Sequence, residues 1–316
     1  MTLDFDVAYR LVQNCDFIQP NEKKSWLRDV LQKAYDGYLD QTLSRLGSVS
    51  LECNERDPAL LDDFSRDHAI FLYSLTFLPS LQNIDLYKYR CPHLALEHTT
   101  LCEVADILRL KNSSLDRRIL NKPSALKSVE IILACITPPF VSLILRDPCS
   151  LERFKYIISE RQAPPNNDIT GYFTGIPTIL KILEERARTT LKFLHIGDLF
   201  TNGFSSRNFP LFRGPWGFKA FTYLTQLTFD IQFLPVRDSI NCTVLADILP
   251  ENIQYVDILC FHSRHQANVP SLLTSFDPES YRRLRFLSLW TNFESVRDNL
   301  PLASHYSFGK NTMFGL

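Results

Sequence analysis

Cys91, His93, His98 and Cys102 are the most compact set of metal-ligand residue types in the chain, in the order C-x-H-x4-H-x3-C. Thiolate and imidazole are ligands that zinc accepts. The spacing matches no standard finger, no second C-x2-C accompanies it, and Cys102 falls on the apolar stripe of a predicted helix. The expectation is therefore a structural role and no metal. Cys260, His262 and His265 form a second group, where a Cys-His nucleophile pair is conceivable. A buried thiol and two loop histidines is the plainer reading. An enzyme on an irregular α/β fold, using one of these Cys/His groups, is the alternative to a binding protein.

No P-loop, Rossmann glycine cluster, G-x-S-x-G or H-E-x-x-H is present. With Gly at only 10 of 316 residues, phosphate-cradling loops are improbable. Asp62-Asp63 and Glu184-Glu185 sit on helix-like sequence and read as solvated faces. No catalytic residue and no cofactor is expected. Lys+Arg is 34 against Asp+Glu 35, a formal charge of -1, which argues against a nucleic-acid partner. No apolar run reaches the roughly 18 residues of a membrane span. The acidic start Met1 to Asp6 lacks a secretory h-region, so the eight cysteines read as reduced thiols of a cytoplasmic or nuclear protein.

The elements that would position any site emerge from a repeated spacing, apolar-x-x-apolar-x-apolar. It occurs as Leu46, Val49, Leu51; as Leu81, Ile84, Leu86; as Leu126, Val129, Ile131; and as Leu151, Phe154, Tyr156. It returns as Leu191, Leu194, Ile196; as Leu224, Leu227, Phe229; as Ile253, Val256, Ile258; and as Leu284, Leu287, Leu289. The last two positions of each copy are two apart, so both face one side of a short strand. One such unit cannot bury its apolar face alone, whereas stacked units form a continuous core. Helices are predicted over 21–43, 57–75, 100–110, 138–145, 176–188 and 244–249. Residues 160–177, rich in Pro, Asn and Gly, read as a loop, and 202–221 as more loop than helix.

The predicted fold is α/β: an irregular leucine-rich-repeat-like solenoid of short parallel strands alternating with helices. It forms one domain over 1–316, with a helical cap over 1–45, about eight repeats over 46–290 and a tail or cap over 291–316. A conventional α/β sheet is the competitor. Two copies carry Asn three residues after the last anchor, Val49 to Asn54 and Leu287 to Asn292. The other six have Tyr89, Ala134, Ser159, Leu199, Gln232 and Phe261 there. These irregular units, best seen from Pro138 through Leu191-Lys192-Phe193-Leu194-His195-Ile196, resemble the leucine-rich-repeat region of fungal F-box proteins. The resemblance implies the substrate-recognition part of a ubiquitin ligase receptor. Residues 1–41 contain no F-box opening of the form Leu-Pro-x-Glu.

The anchors Leu86, Ile131, Ile196, Phe229, Ile258 and Leu289 are expected to be buried. The residue between the anchors, and the one after, face away from the core. These rows supply a candidate protein-binding face of Glu52, Asp85, Tyr87, Glu130, Lys155, His195, Asp230, Asp257 and Trp290. Five carboxylates against one Lys favour a basic protein segment as partner. Partner identity and oligomeric state are not legible at this level.

Overall fold

The computed structural model describes residues 2–4, 47–52, 76, 80–87, 124–134, 136, 138–145, 149–158, 169–198, 217–233, 245–260, 272, 281–291 and 307–309. The chain divides into two compact units, one of Met1–Leu151 with Arg161–Asn167, the other of Glu152–Glu160 with Asp168–Leu316. Each is α/β with parallel strands.

The first unit holds β1 (Thr2–Asp4), β2 (Ser48–Glu52), β3 (Asn83–Tyr87) and β4 (Ser128–Ala134), side by side in chain order and all parallel. Anchor pairs with anchor: Val49 with Ile84 and Leu51 with Leu86, then Ile84 with Val129 and Leu86 with Ile131. Helix α1 (Pro138–Ile144) follows β4. Its two prolines occupy the first turn, where a missing N–H costs nothing, and it buries Phe140, Val141 and Ile144.

The second unit holds β5 (Arg153–Ile158), β6 (Phe193–Asp198), β7 (Gln226–Asp230), β8 (Tyr255–Cys260), β9 (Phe286–Thr291) and β10 (Ser307–Gly309), again parallel and in chain order. The anchor register continues from Phe154–Leu194–Leu227–Val256–Leu287 and from Tyr156–Ile196–Phe229–Ile258–Leu289. All six anchors expected in the core are at most 2% exposed. The segments before these strands differ in kind. Between β5 and β6 lies helix α2 (Ile169–Ala187), and before β8 the single turn α3 (Leu245–Ile248). Before β7 two successive turns bury Phe218 and Phe221. There Gly217 lies so close to Ile248 that a Cβ would stand 3.3 Å from its Cα, while the Phe218 N–H donates to the Ile248 carbonyl.

One backbone device recurs at the starts of β3, β4, β6, β7, β8 and β9. The carbonyl just after the first anchor accepts two consecutive N–H groups from the next strand's start. Gly47 accepts from Gln82 and Asn83, and Gln82 from Lys127 and Ser128. In the second unit Glu152 accepts from Lys192 and Phe193, Lys192 from Thr225 and Gln226, Thr225 from Gln254 and Tyr255, and Gln254 from Arg285 and Phe286. This pairs backbone groups that burial would otherwise leave unsatisfied, and it locks the register.

Three sequence readings change. Residues 169–177, read as loop, open α2, and Pro177 lies inside that helix. The apolar stripe Ile176, Ile179, Leu180, Leu183 and Ala187 is buried, so burial outweighs the lost bond at proline. Thr2–Asp4 in the expected helical cap and Ser307–Gly309 in the tail are both strands. They lack the full spacing but present Leu3 and Phe308 in register with Val49 and Leu289. The helices predicted over 21–43, 57–75 and 100–110 lie outside the described residues.

Candidate functional site

Strand alternation divides each strand into core anchors and an opposite row. In the second unit that row begins one step earlier than the sequence reading placed it. Arg153, Phe193, Gln226, Tyr255 and Phe286, immediately before the anchors, stand in register across five strands. Tyr255 is 36% and Phe286 41% exposed, and Gln226 is exposed beside them. The Arg153 guanidinium lies 3.8 Å from the centre of the Phe193 ring, a cation–π contact. The signal for this row was present: the same period of two, read backward from the residue between the anchors, lands on four large or cationic residues.

Between the rows runs a groove of ≈ 430 Å³, lined among others by Phe193, Gln226, Thr228, Tyr255, Asp257 and Phe286. Its far wall is a hydrogen-bonded cluster. Thr228 Oγ1 donates to Asp257 Oδ2 at 3.3 Å, and the Ser288 hydroxyl donates to Asp257 Oδ1. Trp290 Nε1 points to the same Oδ1 at 3.3 Å and to Ser288 Oγ at 3.0 Å. The carboxylate is thereby tied to its own neighbours, and the half-buried indole is a member of the cluster instead of a separate aromatic tip.

His195 occupies the middle row between Lys155 and Thr228. Burial, with Lys155 and then Arg153 adding positive charge, lowers its pKa from 6.5 to about 3. It is a neutral imidazole at neutral pH. The ring lies over Gly197: a Cβ there would stand 3.0 Å from Nε2 and 3.3 Å from Leu259 Cδ1.

The expected face is thus only partly assembled. Asp230 is 1% exposed, at the end of β7 where the 3-10 turn Ile231–Phe233 follows with Ile231 and Phe233 also buried. Lys155, His195, Asp257 and Trp290 share the second unit's outer face with Arg153 and the aromatic row. In the first unit Asp85 pairs with Glu130 and Tyr87 with Ile132, all half-buried. Glu52 pairs with Tyr87 in register, and its side chain lies outside the described residues. Among the described residues, the first unit thus places Asp85 and Glu130 side by side on a strand face, while the second places Arg153 and Lys155 on β5.

Cys91, His93, His98 and Cys102 lie outside the described residues, as do His262 and His265; Cys260 ends β8. Among the described residues no group of three or more His, Cys, Asp or Glu side chains is placed to hold a metal, and no helix is long and apolar enough to cross a membrane. Comparison with known proteins finds no matching family model, no matching curated protein and no matching solved structure.

Proposed function

We propose that the protein is a non-catalytic protein-interaction scaffold, built as a leucine-rich-repeat-like solenoid whose outer strand face docks a partner protein in the cytosol or nucleus. The observation that carries this reading is the aromatic row: Tyr255 and Phe286, adjacent in register and among the most exposed large apolar side chains described. Scattered exposed apolar residues need no explanation, but aromatic residues gathered along one groove are what interfaces use as anchors. The repeated anchor register and the repeated carbonyl device within each unit support the solenoid. The pair Asp85 and Glu130 supports a basic protein segment as partner of the first unit's face.

The test is affinity purification from the native cell with wild type and with Tyr255→Ser, Phe286→Ser. Loss of the co-purifying protein at an unchanged melting temperature supports the reading. Undiminished capture, or a cross-linking footprint on the helical segments, overturns it. The resemblance to F-box proteins extends the proposal to substrate recognition for a ubiquitin ligase. Ligase adaptor subunits among the recovered proteins support that extension, and their absence beside a recovered partner removes it alone.

A further inference from the structure

The second unit's groove combines exposed aromatic rings with a fixed carboxylate. Tyr255 on β8 and Phe286 on β9 pair in register, roughly 5 Å apart, and both are exposed. Asp257 stands two residues after Tyr255 on the same face, about 7 Å along the strand, and lines the same groove. Its donors are the Thr228 hydroxyl, the Ser288 hydroxyl and the Trp290 indole N–H, all neutral groups. They hold the carboxylate in place without offsetting its charge, and among the described residues no ion pair joins it. Oδ1 takes two of these donors and Oδ2 only Thr228. A carboxylate oxygen can accept about two hydrogen bonds, so Oδ2 keeps one site for a ligand. The same outer row already shows a guanidinium packed on one of its rings, Arg153 at 3.8 Å from the centre of Phe193. Among the described residues no Lys or Arg lines the groove, and Arg285, one residue before Phe286, lies outside that lining. Arg153 and Lys155 stand on β5, three strands from β8 or roughly 14 Å away. That exceeds the screening length of about 8–10 Å in physiological salt.

We propose that this groove takes an arginine side chain of the partner protein, its guanidinium stacked against Tyr255 and Phe286 and donating to Asp257 Oδ2. The aromatic faces attract a cation through their ring quadrupoles. The carboxylate adds charge complementarity and a charge-assisted hydrogen bond. A planar guanidinium meets both at once, since it stacks flat on a ring while its edge donates. A lysine ammonium is more strongly hydrated and offers no flat face. The inference rests on the strand face being the docking surface, and it adds the chemistry of the residue that docks there.

Fluorine NMR of the full chain labelled with fluorotryptophan tests it, because Trp290 borders the groove and is one of only 3 tryptophans. Trp290→Phe assigns its signal. The probes are acetyl-Ser-Gly-Arg-Gly-Ser-amide and the same peptide with Lys or with citrulline, the uncharged isostere, in place of Arg. The Arg peptide should shift the Trp290 signal saturably and bind at least roughly tenfold more tightly than the citrulline peptide. The Lys peptide should bind severalfold less tightly than the Arg peptide. Asp257→Asn keeps the shape of the side chain and removes its charge, so it should weaken the Arg peptide about tenfold and leave the citrulline peptide unchanged. Phe286→Ser should weaken all three. Circular dichroism melts confirm that the variants fold. An Arg peptide matched by either comparator, an affinity indifferent to Asp257→Asn and to Phe286→Ser, or no saturable shift at Trp290 overturns the proposal. A native partner that is lost with Tyr255→Ser, Phe286→Ser but retained by Asp257→Asn leaves the docking surface standing and removes only the arginine ligand.

Discussion

Trp290 on β9 reaches diagonally to Asp257 on the neighbouring β8: its indole N–H points to Oδ1 at 3.3 Å, although Trp290 pairs in register with Leu259. Together with Ser288 and Thr228, this contact ties three consecutive strands, β7 to β9, on the face away from the core.

Replacing Asp257 by Ala should therefore cost stability on a nominally exposed face. It leaves the Ser288 hydroxyl and the indole N–H to repartner, at about 1–3 kcal/mol. Urea unfolding followed by tryptophan fluorescence measures the cost, and Asp257→Asn should recover part of it. A wild-type midpoint for Asp257→Ala would show that the cluster contributes nothing.

The buried anchors predict larger losses. Ile196→Ala and Ile258→Ala should each cost about 2–5 kcal/mol through lost transfer energy and a cavity, read from denaturant midpoints. Phe193→Ala, on the opposite side of the same strand, should cost much less than Ile196→Ala. Comparable losses at both sites would reject the assignment of core and outer faces.

His195 sets a pH dependence. Its folded pKa, about 3, lies below the ordinary histidine value of 6.5, so between these values the unfolded chain binds a proton that the native state does not. The native advantage is complete above about pH 6.5 and is lost progressively as pH falls toward about 3. Since unperturbed carboxylates titrate near pH 4, the window of about pH 5 to 6.5 separates histidine titration from theirs, and comparison with a His195 variant separates this ring from the other six histidines. His195→Gln should flatten the stability–pH slope there, and equal slopes for variant and wild type would remove the imidazole from the account.

Gly197 should resist substitution because of that same ring. Alanine would place a methyl 3.0 Å from His195 Nε2, and overpacking of this kind costs about 1–3 kcal/mol. In the background of His195→Ala the cost of Gly197→Ala should fall, since the nearest obstructing atom is gone. A double-mutant cycle on thermal or urea unfolding measures the coupling, and strictly additive effects would mean that the ring is not the obstacle.

The strand positions were legible in the residues because the spacing of Val49 and Leu51, repeated through Leu287 and Leu289, meets a period of two that only a strand turns into one buried side. Burial of Leu86, Ile196 and Ile258 follows from the same alternation. The sequence also carried the pre-anchor aromatic row, since backward alternation reaches Phe193, Tyr255 and Phe286, though the rows chosen first began two residues too late. Other features depended on three dimensions. Asp230 and Asp257 occupy similar outer positions in the pattern. One is buried beside the 3-10 turn that follows its strand, and the other is hydrogen-bonded by donors on β7 and β9 that lie 29 to 33 residues away in the chain. Pro177 looked like a loop marker, but the apolar stripe from Ile176 to Ala187 gains more by burial than the proline loses. Short-range periodicity determines which side of a strand meets the core. The environment of each charge on the other side depends on long-range neighbours, and those exist only once the strands have paired.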